Sequence, residues 1–265
     1  MFLLEFSFIV GVLSRLFSFM QLMKFSHLIR LYTNQSIYKN QTLKIEKEDF
    51  HYLKSVMRLR KADIFRLFND VDGEFIVRVE ELVGKSYVNV CVESKIRDVS
   101  TEKELILGLC LIKADRMIEA IKSAVQLGVT KIIPLLSERT QYKKMNKEKI
   151  EKCIIQATEQ SERFKPAEYL QEMQLIDFCK LPKIEQIIFA CESESEGNII
   201  DIKKIKPAVA VLIGPEGGFS QNETTFVKSH AHVCSISLGN TVLRTETAVS
   251  AVLACVQMMR SNCQD

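Results

Sequence analysis

Two glycine-bearing loops near the C-terminus hold the residue types and spacing best suited to ligand chemistry. The first follows the apolar run Ala208-Val-Ala-Val-Leu-Ile213 and reads Gly214-Pro215-Glu216-Gly217-Gly218-Phe219-Ser220-Gln-Asn-Glu223. Glycines let a backbone come close to a ligand, and the N–H groups at a helix start attract anionic or polar groups. Ser220 followed by Glu223 is the pattern of a capping box, so a helix is expected to open there. The Lys-Ser/Thr of a Walker loop and the spacing of a dinucleotide fingerprint are both missing. A polar-ligand loop and a plain strand-to-helix turn remain. The second loop is Leu238-Gly239-Asn240-Thr241-Val242-Leu243-Arg244-Thr245-Glu246, with Thr245 where it could cap a final helix. At the carboxyl ends of parallel strands, two such loops would form one crevice, the usual ligand position in open α/β sheets. Leu238, Val242 and Leu243 would supply an apolar wall and Arg244 a cation. As a mere surface residue, Arg244 would sit poorly beside the positive end of a helix.

Three further groupings could bear on function. Gln156, Gln160 and Arg163 share one helix face by their i, i+4, i+7 spacing, and would equally suit its solvated side. Arg139, Lys143, Lys144, Lys147, Lys149 and Lys152 outnumber Glu148 and Glu151, as suits a phosphate backbone or a solvated lysine-rich face. Nearer the start, Arg30, Lys54, Arg58, Arg60, Lys61 and Arg66 interleave with Tyr32, His51, Tyr52, Phe65 and Phe68, the mixture that single-stranded RNA binding uses.

The elements that must position these residues change character midway. From about Met23 to Ser94 the pattern is mostly strand: Ile29–Thr33, Gln41–Ile45, and Asp63–Phe68 and Glu74–Glu80 about a turn at 69–73. Val88, Val90 and Val92 repeat the period of two, and one short helix falls at Lys47–Met57. A small antiparallel barrel is expected. The charged stretch Ser94–Glu104 reads as a linker. Beyond it, strands at Leu105–Leu111, Val129–Leu136, Ile187–Ala190, Ala208–Ile213 and Val233–Leu238 alternate with helices. Helices are expected from Asp115 to a cap at Gly128, from Asn146 to Glu162, and over Glu246–Arg260. This rhythm implies an α/β domain, a mainly parallel sheet covered by helices.

Length and composition agree with two modest domains. The 265 residues exceed one small module at roughly 150 residues per domain, and 47% hydrophobic with 26% charged residues suits a soluble globular chain with a real core. The net charge is +3, and residues 1–100 hold 15 Lys+Arg against 12 Asp+Glu while the remainder holds 21 of each. The excess therefore lies in the first part, as expected if that part touches a polyanion. The eight cysteines form no C-x-x-C pair and read as free thiols of a reducing, cytoplasmic setting. Of the four histidines only His230 and His232 are close, without a third ligand nearby, so no metal is expected. Residues 1–22 are apolar, but Glu5 and Arg15 interrupt them. The uncharged run Phe6–Ser14 falls short of the ~18 residues a spanning helix needs. Lacking a basic leader and a cleavage site, they read as a dispensable N-terminal extension of unclear role, with no stable membrane association; an anchor or transit peptide is the alternative.

The combination LIGPEGGFSQNE and SLGNTVLRTETA near the C-terminus, AIKSAVQLGVTKIIPLLSERT in the middle, IIQATEQSERFKP on a helix and HYLKSVMRLRKADIFRLFN near the start resembles the RsmE family. These are methyltransferases for a uridine of 16S ribosomal RNA. The resemblance implies a PUA-like RNA-binding β-barrel over 23–94 and, over 105–262, a SPOUT methyltransferase domain with a C-terminal trefoil knot. It further implies a homodimer acting on 16S rRNA within the small ribosomal subunit, and transfer of a methyl group from S-adenosyl-L-methionine to the N-3 imide nitrogen. Ile213, Gly214, Pro215, Glu216, Gly217, Gly218, Leu238, Gly239, Leu243, Arg244 and Thr245 would bind that cofactor. Arg163 and Arg244 would be catalytic, and Arg30 and Arg58 would bind RNA. The chain departs from the family pattern at Gln126, Gln156 and Thr241, the last standing for an arginine of the cofactor loop. The competing reading is a non-catalytic or retargeted SPOUT-like RNA-binding protein.

Overall fold

The computed structural model describes residues 24–261, apart from 85, 143, 192–196, 199–201 and 203, with backbone alone at Gly197 and Asn198. The extension read over 1–22 lies outside the described residues. The chain divides into two compact units, 1–100 and 101–265.

The first unit is a five-stranded sheet of β1 (Arg30–Tyr32), β2 (Thr42–Glu46), β3 (Ile64–Asn69), β4 (Gly73–Val83) and β5 (Tyr87–Arg97) in the order β1-β3-β4-β5-β2. Alternating residues of all five strands, among them Leu31, Leu43, Phe65, Val77 and Val90, enclose one apolar core. Three register shifts along β4 and β5 supply the curl, because each bulge adds local twist. The sheet differs from the expected antiparallel barrel in two respects. β1 pairs with β3 in parallel, and the order of strands is an open path. β5 also runs on to Arg97, into the stretch read as linker. The helix read over Lys47–Met57 is split into α1 (Lys47–His51) and a π-helical turn over Tyr52–Val56.

The reason β5 continues is electrostatic. Glu74, at the start of β4, is fully buried and meets Arg30 Nε at 2.9 Å, Arg66 Nη1 at 3.3 Å and Arg97 Nη2 at 2.7 Å. The parallel register sets Arg30 beside Arg66, and the guanidinium of Arg30 also lies 3.4 Å from the Phe68 ring centroid. Burying a carboxylate is tolerable only with such partners. Arg30, read from the sequence as an RNA contact, has a side chain that is 3% exposed and paired with Glu74 in this structure.

The second unit is an eight-stranded sheet in which every ladder is parallel: β6 (Leu105–Cys110), β7 (Lys131–Leu136), β8 (Glu168–Tyr169), β9 (Met173–Gln174), β10 (Gln186–Ala190), β11 (Gly197–Asn198), β12 (Val209–Ile213) and β13 (Val233–Ser237). The main order is β11-β13-β10-β12-β6-β7-β8, with β9 also on β7. A parallel sheet is covered on both faces, which is why its strands are continuous apolar runs. Leu105, Leu107 and Leu109 face one core with α2 (Ala114–Gln126), α3 (Lys147–Gln160) and α6 (Thr245–Ser261). Ile106 and Cys110 face the other with α4 (Leu175–Cys179) and α5 (Gln221–Lys228). Burial pushes the Cys110 thiol up to about 12. Gly108 stands between them on this second face because a Cβ there would come within 2.6 Å of Phe178 Cζ. The cysteines among the described residues are free thiols. Among those residues no helix is long and apolar enough to cross a membrane.

Candidate functional site

The loops after β12 and β13, which flank β10 on either side, meet in a crevice of about 530 Å³. The sheet order thus brings together loops that are more than twenty residues apart in the chain, outside the carboxyl ends of three neighbouring strands. Ile213 to Phe219 form one wall and Leu238 to Thr245 the other, so each residue read as a cofactor contact lines the same space.

Local bonds hold the two walls. Ser220 accepts from Glu223 N at 3.2 Å while the Glu223 carboxylate accepts from Ser220 N at 2.9 Å, completing the capping box of α5. The other oxygen of Glu223 accepts from Glu138 N at 2.8 Å, which ties the loop after β7 to the same point. Thr245 does not cap α6. It is the first helical residue, and Ala248 N donates to the carbonyl of Arg244, which occupies the cap position. The Thr245 hydroxyl instead donates to Gly214 O at 3.2 Å and stitches the two loops together.

The crevice wall is apolar at Ile213, Leu238, Leu243 and Ala248, and Gly214, Gly217, Gly218 and Gly239 bring main chain of both loops to it. Gly217 leaves room there that the described residues do not fill: among them a Cβ would meet nothing nearer than Arg139 Cβ at 3.7 Å. Val242 is 81% exposed at the rim, and Arg244 is exposed with no ion pair among the described residues. An apolar slot lined by glycine backbone and bordered by the Arg244 cation suits a flat heterocycle with polar substituents. Sequence reasoning missed Arg116 and Arg139, which also line it. The Nη1 of Arg116 donates to Glu216 Oε1 at 3.2 Å, and that of Arg139 donates to Gly217 O at 2.9 Å. Their partners are remote in the chain; the available signal was an arginine in the first turn of α2, where a cation is ill placed.

Arg163 lies elsewhere. Its guanidinium grips the Glu102 carboxylate, with Nε 3.1 Å from each oxygen, and Nη1 donates to Val125 O and Val129 O at 2.7 and 2.8 Å. It closes the C-terminal end of α2 and does not line the crevice. Gln160 accepts from Gln126 Nε2 at 2.6 Å, and Gln156 is exposed. The polar face of α3 is therefore its bonded and solvated side. In the first unit Arg58 is exposed, with φ at +57° just after the π-helical turn. Tyr52, Val56, Met57, Arg60 and Lys61 are exposed in the same segment. No group of three or more His, Cys, Asp or Glu side chains that could hold a metal occurs among the described residues.

Residues 100–257 match the model of the RNA methyltransferase domain, and residues 45–91 that of the RNA methyltransferase PUA domain. The ribosomal RNA small subunit methyltransferase E of Rickettsia conorii is 35% identical over 242 residues, covering 89% of this chain and 98% of the relative. The protein of the same name from Buchnera aphidicola (subsp. Schizaphis graminum) is 28% identical, covering 86% and 95%. Among solved structures, Lpg2936 of Legionella pneumophila, in complex with bound SAM, superposes with a TM-score of 0.80 at 30% identity over 88% of this chain and 98% of that one. The chain belongs to the ribosomal RNA small subunit methyltransferase E family.

Proposed function

We propose that this chain transfers a methyl group from S-adenosylmethionine to the N-3 nitrogen of a uridine in small-subunit ribosomal RNA, as a cytoplasmic homodimer. In this reading residues 23–94 grip RNA and residues 105–262 carry the reaction, with the C-terminal loops forming the trefoil knot. The observation that carries it is the meeting of Gly214–Gly218 and Leu238–Thr245 in one crevice, stitched by Thr245 and bordered by the free cation of Arg244. The homodimer is supported by a face of α6 that the described residues leave partly exposed: Ala251, Ala254 and Cys255 are half-buried and Met258 is 68% exposed. They stand at helical spacing on one side, as an interface requires.

The residues fit the cofactor. The gap at Gly217 admits a ligand, Leu238 and Leu243 offer apolar surface, and backbone groups of both loops would hold its polar atoms. The sulfonium of the bound cofactor supplies an electrophilic methyl group. The chain's own share is alignment and charge. The stitched loops would hold the methyl donor and base in line, and Arg244 would stabilise the charge that develops on the uracil carbonyls as the imide proton leaves.

The test is mass spectrometry of ribosomal RNA nucleosides with and without the gene, together with single-turnover methylation of small-subunit RNA by the purified chain. Loss of one N-3-methyluridine with the gene supports the reading, and an unchanged nucleoside profile overturns it. Arg244→Ala should slow transfer about 100-fold, some ~3 kcal/mol in a water-poor site, at an unchanged melting temperature. Arg163→Ala should do the reverse. Losing its charged hydrogen bonds should destabilise the unit by ~2–3 kcal/mol, while the folded fraction keeps its rate. A slow but stable Arg163 variant would return that residue to the reaction.

Arg58→Ala is expected to weaken RNA association and to lower the slope of log affinity against log salt by ~0.7–0.9, one phosphate contact. Cofactor affinity should not move. Filter binding across a salt series reads the slope, and a constant slope removes Arg58 from the phosphate contacts.

A further inference from the structure

Among the described residues, the lining of the crevice holds more cations than carboxylates. Arg116, Arg139, Lys228 and Arg244 line it, and among the described residues Glu216 is the one carboxylate of the lining. S-adenosylmethionine is itself a net cation, its sulfonium and ammonium exceeding its single carboxylate. Like charges in a partly enclosed site repel more strongly than in water. The single carboxylate of that cofactor can engage one of these cations, which leaves the others for a second ligand.

Two of these cations have donors to spare. A guanidinium has five N–H donors. Among the described residues Arg116 uses one, on Glu216, with both side chains 35% exposed. Arg139, an exposed residue, likewise uses one, on Gly217 O. Arg116 stands in the first turn of α2, where the helix field opposes a cation. Arg244 stands at the cap of α6 under the same opposition, and no ion pair offsets it among the described residues. Cations held against the local field and facing one cavity call for an anion. The anion that the proposed reaction brings is the phosphodiester of the strand carrying the target base.

We propose that Arg116 and Arg139 form a phosphate-binding rim on the cofactor crevice, beside Arg244, which seats the RNA backbone next to the target base and thereby raises the affinity for the cationic cofactor. This rests on the methyltransferase reading above. Because Arg116 and Arg139 also hold Glu216 and Gly217, a phosphate bound on the rim lies one bond from the cofactor loop, and the two ligands are coupled through shared residues. Coupling is reciprocal: the cofactor raises RNA affinity by the same factor.

The test compares S-adenosylmethionine with S-adenosylhomocysteine, which lacks the methyl group and its sulfonium charge. Each is titrated calorimetrically into the full wild-type chain at low and high salt, with and without a transcript of small-subunit ribosomal RNA. Homocysteine-form affinity should exceed that of the methyl donor several-fold at low salt. The gap should close as salt is raised, and RNA should improve the methyl donor relative to the product by roughly 5–10-fold. In the double variant Arg116→Gln, Arg139→Gln the gap should shrink without RNA, and the RNA salt slope should fall by ~0.7 per lost contact. Lysine at both positions should restore much of the slope. A wild-type affinity ratio insensitive to both salt and RNA overturns the rim without any variant, as does an undiminished slope in a folded glutamine variant. If the wild type methylates the transcript while showing no coupling, the rim is wrong and the methyltransferase reading stands. Absence of cofactor binding and of methylation overturns both.

Discussion

Glu74→Ala is expected to destabilise the N-terminal unit by ~3–5 kcal/mol, the range for breaking a buried ion pair and leaving its charges behind. The side chain has no exposure, and its two oxygens face guanidinium groups of Arg30, Arg66 and Arg97. Removing it leaves three cations crowded without the carboxylate that gathers them, and the repulsion adds to the lost hydrogen bonds. Glu74→Gln preserves shape and one acceptor and should lie between the alanine variant and the wild type. Calorimetric unfolding of the full chain is the suitable measurement, because the transition of one unit should drop by many degrees while that of the other stays. An alanine variant within ~1 kcal/mol of the wild type would mean that the arginines disperse to solvent at little cost.

Gly217→Val is expected to abolish cofactor binding, by more than 100-fold or ~2.7 kcal/mol, at an almost unchanged melting temperature. The fold does not need glycine there. A Cβ would find Arg139 atoms at 3.7 and 3.9 Å, ordinary contact distances, and the backbone is not left-handed. The empty volume therefore belongs to the crevice, and a branched side chain would fill it at the ligand's expense. Gly214 makes the contrast, since a Cβ there would sit 2.8 Å from Phe219 Cε2 and any loss would mix strain with binding. Undiminished binding by the valine variant would move the cofactor out of this loop.

Much of the architecture was readable from periodicity. Continuous apolar runs such as Leu105–Cys110 imply strands buried on both faces, and the alternation through Phe75, Val77 and Val79 implies one-sided burial. Glycines ending two strands pointed to the crevice. The strands β8, β9 and β11, two residues each, are too short to show a period, and the π-helical turn has no sequence signature. The arginines whose surroundings could not be foreseen share one cause. Arg30 is turned inward by a strand register that only the folded sheet defines, and Arg163 is engaged by Glu102, 61 residues away. Arg116 and Arg139 escaped notice because their partners lie 100 and 78 residues downstream. Long-range pairing decides whether an arginine is a pin or a hand, and local spacing is silent on it.

The placement of β12 between β6 and β10 has a consequence for how the chain is made. β6 is the first strand of its unit to leave the ribosome, yet its neighbour on one side arrives only when Val209 has been added opposite Leu105. Until then β6 and β10 each present an unsatisfied apolar edge, the kind of surface that recruits other chains. Such distant pairing slows folding and lengthens that exposure. The crevice, built from the last strands to be synthesised, comes into being only at the end, so a chain stopped short of α6 would be a hazard as well as inactive.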